Sequence, residues 1–212
     1  NNQFTDLTPL AKLTKLQSID LRANPNLAKA EVVKLQKALP YCSITEDLLS
    51  GSERIEVHIR QQTKKPEGEL TKADLEQVKR LALHENKISD LSPLAGLSKL
   101  EDLFLYRNYK IADLTPLREL TSLRQLWLEE NIITDVSPLA GLTKLERLHL
   151  HNNRVKDLTG LSGLKELKVL NLYNNQFTDL TPLAKLTKLQ SIDLRANPNL
   201  AKAEVVKLQK AL

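Results

Sequence analysis

The chain has 212 residues, enough for one sizeable core, and its composition is one-sided: aromatics reach 4%, methionine is absent and leucine dominates. Its formal charge of +5 is scattered, with Lys99, Lys144 and Lys188 recurring as solvated flank positions, so no nucleic-acid partner is expected, since one would need a basic stripe beside stacking aromatics. No apolar run approaches membrane-spanning length, and the lone Cys42 excludes an intramolecular disulfide. Asn1 opens inside a repeat with neither a Met nor a signal peptide, so residue 1 is not expected to be the native start of the gene.

Residues 1–39 recur letter for letter as residues 174–212. Neighbouring repeats, such as DVSPLAGLTKLERLHLHNN from Asp135 and DLTGLSGLKELKVLNLYNN from Asp157, share only an apolar frame. The unbroken match therefore implies a very recent duplication or a deliberately added copy, and the expectation is an engineered, recombinant chain. Within the first copy, Val32, Leu35 and Leu39 fall on one face of a helix, followed by a short extended piece carrying Cys42. Residues 48–53 read as a linker whose Gly51-Ser52 pair resembles a cloning junction. Ile55 and Ile59 then share a helical face, Pro66-Glu67-Gly68 makes a turn, and Thr71 with Asp74 forms an N-cap pair opening a short helix.

From there asparagines fall at Asn86, Asn108, Asn131, Asn153, Asn175 and Asn197, spaced by 22 residues except for a step of 23 between Asn108 and Asn131. Ahead of each stands LxL or its equivalent: Leu81-Ala82-Leu83, Leu103-Phe104-Leu105, Leu126-Trp127-Leu128, Leu148-His149-Leu150, Leu170-Asn171-Leu172 and Ile192-Asp193-Leu194. Alternation of this kind is a strand with both leucines inward and the residue between them outward. The asparagine is a buried turn residue whose amide can bond the backbone of successive coils. The Ser/Thr-Pro-Leu step breaks the extended chain and suits a short 3₁₀ turn on the convex side. A period in the twenties with LxxLxLxxN is the leucine-rich-repeat signature. The fold expected is α/β: a leucine-rich-repeat solenoid, or horseshoe, with a parallel concave sheet, short convex 3₁₀ turns and a helical N-terminal cap.

The (S/T)DLSPLAGLTKL variant resembles the 22-residue repeats of bacterial internalin-type proteins. IEVHIRQQTKKPEGELTKADLEQV resembles the helical N-terminal cap of that group, and NPNLAKAEVVKLQKALPYCSI its closing segment. The resemblance implies a secreted or cell-surface bacterial origin. It also makes the order unusual: a closing segment (1–47), a linker (48–53), an N-terminal cap (54–77), then a solenoid (78–212) whose end is the second copy (174–212). Only one copy can follow Tyr173 in a given solenoid. In the direct frame 174–212 does so and 1–39 is left over; in the exchanged frame 1–47 docks there and displaces it. The two solenoid ends lie about 25–30 Å apart, which residues 44–55, at about 3.3 Å each, could span only when nearly extended. Donation of 1–47 to a neighbouring molecule is the less strained option and need not close.

Two columns point from the concave sheet: Ala82, Phe104, Trp127, His149, Asn171, Asp193 and His84, Tyr106, Glu129, His151, Tyr173, Arg195. The candidate protein-binding residues are Phe104, Tyr106, Trp127, Glu129, His149, His151, Tyr173 and Arg195, because contiguous aromatics have the composition of an interaction hot spot. His149 and His151, with Glu129 one coil away, have the types to hold a transition metal. A pair of exposed histidines is more often no site, and neither metal nor cofactor is assigned. There is no activated nucleophile, phosphate loop or recessed carboxylate pair. Asp90, Asp113, Asp135, Asp157 and Asp179 repeat with the coil, as turn-makers do. The chain thus reads as a non-enzymatic scaffold with two candidate partners. One is itself, through residues 1–47, by domain swapping, frame exchange or head-to-tail assembly. The other is a protein or peptide held on the concave face.

Overall fold

Every LxL frame becomes a three-residue strand. A computed structural model of the chain describes residues 5–46 and 48–211. In order these form β1 (Ser18–Asp20), α1 (Lys29–Ala38), β2 (Ser43–Thr45), α2 (Gly51–Thr63) and α3 (Lys72–Leu75). Then come β3 (Arg80–Ala82), β4 (Asp102–Phe104), β5 (Gln125–Trp127), β6 (Arg147–His149), β7 (Val169–Asn171), β8 (Ser191–Asp193) and α4 (Lys202–Ala211). Strands β3 to β8 make one parallel sheet in chain order. Their register sets Leu81, Leu103, Leu126, Leu148, Leu170 and Ile192 side by side. The leucines of β3 to β6 and those two residues on are fully buried, each worth about 2 kcal/mol in area removed from water.

The asparagines form the anticipated ladder. Asn153 donates from Nδ2 to Leu128 O and Leu150 O, and its Oδ1 accepts from Ile133 N–H. Asn108, Asn131, Asn175 and Asn197 likewise donate both to their own coil and to the coil before. Just ahead of them Arg107, Glu130, Asn152, Asn174 and Ala196 sit at φ between 52° and 57°, a left-handed conformation that costs a side-chain-bearing residue roughly 1 kcal/mol. The ladder's buried hydrogen bonds offset that strain. The aspartates are turn-makers: Asp90, Asp113, Asp135, Asp157 and Asp179 each accept the N–H two residues on at 2.8 Å. The 3₁₀ turns follow, opened by proline in every coil of the solenoid except at Thr159–Leu161. The extra residue of the 23-residue step is absorbed around Tyr109, at φ 62° and largely exposed.

The two copies occupy different places in the structure. Residues 174–211 continue the solenoid in the direct frame, β8 pairing with β7. Residues 5–46, left over in that frame, form a second packed unit. Strands β1 and β2 pair in parallel, and Leu7, Leu21, Leu27, Val32, Leu35, Leu39 and Cys42 close a second, smaller core. That unit rests against α2 through Lys29–Glu53 at 2.6 Å and Gln61 Nε2 donating to Cys42 O. The buried Glu46 joins them, pairing with Arg54 at 2.8 Å. The linker also shortens: Ser50 and Glu53 form a capping box, so Gly51 and Ser52 are the first turn of α2. Gly51 is needed there, because a Cβ would lie 2.7 Å from Ile88 Cα. Ile55 and Ile59 are the buried face of α2, and Thr71 caps α3 with Asp74. Among the described residues, no helix is long and apolar enough to cross a membrane.

Candidate functional site

The sheet's register brings the concave columns into ring contact. Phe104 lies 5.4 Å from Trp127, and Trp127 stacks on His149 with centroids 4.4 Å apart. In the second column Tyr106 lies 6.3 Å from Trp127, and His151 meets His149 edge-on at 6.3 Å. Arg80 covers Phe104 with its guanidinium 4.6 Å from the ring centroid, a cation–π contact. The sequence placed His84 in a column but not in the site. The structure stacks it on Tyr106 at 4.4 Å and 5°, which only inter-coil register could reveal. Two expected members sit apart at the β8 end: Arg195, 5.8 Å from the Tyr173 ring, is held by Asp193 at 2.7 Å.

Four polar side-chain atoms of this ribbon are buried without a hydrogen-bond partner: His84 Nδ1, Trp127 Nε1, Glu129 Oε2 and His151 Nδ1. Buried polar groups are normally paired, and each orphan costs about 1–3 kcal/mol. Glu129 is only 6% exposed, and burial pushes its carboxyl up to about 7. Between the ordinary 4.5 and 7 the folded protein holds a proton that the unfolded chain has already lost. The stability carried by this group therefore falls as pH rises through that window. Burial moves His149 and His151 the other way, below the ordinary histidine value, so both rings are neutral at pH 7. Their proximity to Glu129 does not amount to a metal centre: among the described residues no group of three or more His, Cys, Asp or Glu is placed to hold an ion.

The rim is charged and internally satisfied. Arg107 bridges Glu85 at 3.1 Å and Glu130 at 3.0 Å. Glu146 takes Lys168 at 2.6 Å and also Arg124, which together hold its carboxyl at about 2. An aromatic strip with orphaned polar atoms inside a paired ionic rim is laid out as recognition surfaces are, apolar at the centre and charged at the edge.

A curved parallel sheet of in-register LxL strands, sealed by buried asparagines, defines a repeat solenoid with one exposed concave face. The chain belongs to the leucine-rich-repeat family, whose description, leucine rich repeats (2 copies), matches residues 76–119, 121–163 and 165–207. No curated protein matches it. Among solved structures it is similar to the internalin inlF of Listeria monocytogenes, at 29% identity and a TM-score of 0.58 over 91% of this chain. The internalin C2 of the same organism is similar at 28% identity and a TM-score of 0.59 over 95% of it and 78% of that protein. A leucine-rich-repeat protein of Leptospira interrogans shares the fold, with a TM-score of 0.63 over 97% of this chain at 21% identity. The chain spans 65% of the length of the inlF internalin and 61% of the Leptospira protein. The molecule is thus an internalin-like α/β leucine-rich-repeat solenoid. Such scaffolds are generally non-enzymatic and typically bind proteins.

Proposed function

We propose that this module captures a protein or peptide on its concave face, centred on Trp127. The observation that supports it most is the set of orphaned atoms on His84, Trp127, Glu129 and His151 between stacked rings. A partner that inserts polar groups there recovers hydrogen bonds the free protein lacks, while the rings supply apolar area. Peptides selected from a phage-displayed library on the folded chain test this. Trp127→Ala is expected to weaken them at least tenfold, as hot-spot aromatics do. Covering Glu129 further favours its neutral form, so affinity falls from pH 6 to pH 8 in the parent and stays flat in Glu129→Gln. Selected peptides that bind Trp127→Ala as well as the parent sink the proposal.

A second reading, self-association through residues 1–47, has support at the exposed side of the first copy. Leu13 is 49% exposed, whereas its twin Leu186, covered by the preceding coil, is fully buried. That side of the unit fits a leucine-rich coil, as another molecule would offer by exchange or head-to-tail docking. Light scattering decides: multiples of 23.9 kDa are expected as concentration rises a hundredfold, and a constant monomer mass rejects self-association.

A further inference from the structure

Where the first packed unit meets α2 and the edge strand β3, the chain forms a cavity of about 410 Å³, within the size range of small-molecule sites. Its walls come from residues 22 to 87 and so lie well inside the chain. Ile44, Val57 and Ala82 give it an apolar patch, and the rest of the lining is polar. His84 marks its border with the concave face. Tyr106 covers one face of that ring at 4.4 Å, and the ring itself lines the cavity, which Tyr106 does not.

The charges around the cavity are already matched. Arg54 lies 2.8 Å from Glu46, Arg22 lies 2.6 Å from Asp20 and Glu85 lies 3.1 Å from Arg107, while Lys87 is likewise engaged. Burial holds His58 below the ordinary histidine value, so its ring is neutral at pH 7. A charged ligand would therefore enter this space without a counter-ion, which is costly.

Hydrogen-bonding capacity is what remains unfilled. Glu46 is 3% exposed, and its Oε2 accepts from the N–H groups of Leu48 and Leu49. Its Oε1 has no hydrogen bond, because Arg54 Nη2 donates to the Glu46 carbonyl at 2.6 Å instead. His84 Nδ1 is buried without a partner as well. Gln36 directs its amide N–H groups at Leu39 O and Cys42 O, so toward a ligand it acts as an acceptor. Acceptors in surplus, no charge left to satisfy and an apolar patch together suit a ligand that is uncharged, rich in O–H donors and apolar on one face.

We propose that this cavity is a binding site for a neutral sugar ring. Hydroxyls donate to Glu46 Oε1, the Gln36 amide oxygen and His84 Nδ1, and the C–H face of the ring lies on Ile44 and Val57. A few placed polar groups fix the orientation while the apolar patch supplies buried area. The site adjoins the concave face at His84 but does not include Trp127, so it does not rest on protein capture there.

The probes are the methyl glycosides of glucose, galactose, mannose and N-acetylglucosamine, with glucuronate and glucosamine as charged counterparts. Each is titrated into the full chain and followed by saturation-transfer NMR. At least one neutral glycoside should bind saturably, with a dissociation constant on the order of 1 mM, and several-fold more tightly than either charged sugar. Ala82→Trp should abolish that binding. Phe104 and Trp127 hold the same strand position in the next two coils, so the fold accepts an aromatic there, and the indole would fill the cavity. His84→Phe keeps a ring against Tyr106 but removes Nδ1, and should weaken binding several-fold. Trp127→Ala should leave it unchanged. No saturable binding of any neutral glycoside, tighter binding of a charged sugar, undiminished binding to Ala82→Trp or His84→Phe, or loss through Trp127→Ala alone would each overturn the proposal.

Discussion

Replacing Asn153 with alanine is expected to lower the stability of the solenoid by about 3–5 kcal/mol, the largest effect of any single polar substitution in it. Its amide joins two coils at once, with Nδ2 at 3.0 Å from both Leu128 O and Leu150 O and Oδ1 at 3.0 Å from Ile133 N. Alanine leaves Ile133 N–H buried with no acceptor, a loss of about 1–3 kcal/mol. The carbonyls suffer less, because Leu128 O also accepts from Asn131 and Leu150 O from Asn175. The left-handed Asn152, at φ 57°, then loses the bonds that hold its turn.

Asn153→Asp separates donor from acceptor. It keeps an oxygen for Ile133 N–H but turns a second oxygen on Leu128 O and Leu150 O. Ionised, it should be at least as damaging as alanine. Protonated at pH 4 it can donate one bond, so the gap to the parent should narrow. Urea unfolding at pH 8 and pH 4 measures both. Costs under about 1 kcal/mol for both variants at pH 8 would show that apolar packing alone holds the coils.

The ladder, the strands and the turn aspartates were legible because each is a local pattern repeated at fixed spacing, so six frames corroborate one another. The two concave columns followed from strand alternation alone. What escaped was whatever depends on a particular neighbour. His84 joins the aromatic ribbon only because register stacks it on Tyr106. Glu129 is buried, although strand alternation alone makes its position an outward one. In the direct frame the repeat pattern leaves the first copy over, because only one copy can follow Tyr173. Residues 39–44 cover that copy, contributing Leu39 and Cys42 to the small core, with Ile44 packed against it. Gly51 looked like a junction scar, yet its missing Cβ lets α2 approach Ile88. A reading by period treats DLTGL as one more DLSPL, and that equivalence fails in space.

Restoring the repeat consensus at that point, Gly160→Pro, should therefore destabilise the protein by about 3 kcal/mol. The expectation runs against the usual gain of about 0.5–2 kcal/mol from consensus substitutions. Proline stands at this step in Pro93, Pro116, Pro138 and Pro182, and the φ of Gly160 is not left-handed, so local backbone geometry permits it. The coil beneath does not. A Cβ on residue 160 would lie 2.5 Å from Val136 O, 2.7 Å from Ser137 Cα and 2.8 Å from Val136 C. These are backbone atoms, which cannot step aside by changing rotamer, so the two coils must separate and loosen the leucines between them. That coil carries a five-residue 3₁₀ turn, Ser137–Gly141, where its immediate neighbours have three residues, and its Pro138 is already buried. Gly141→Ala is the matched control: its Cβ would meet Arg118 O at an ordinary 3.7 Å. Removing glycine's freedom from the unfolded chain there should be neutral or stabilising by up to about 1 kcal/mol. Opposite shifts of the urea midpoint for the two variants are the expected result. A Gly160→Pro midpoint at or above the parent's would mean that the coils part without loss, and that the close approach at Val136 is not what keeps proline out of this one repeat.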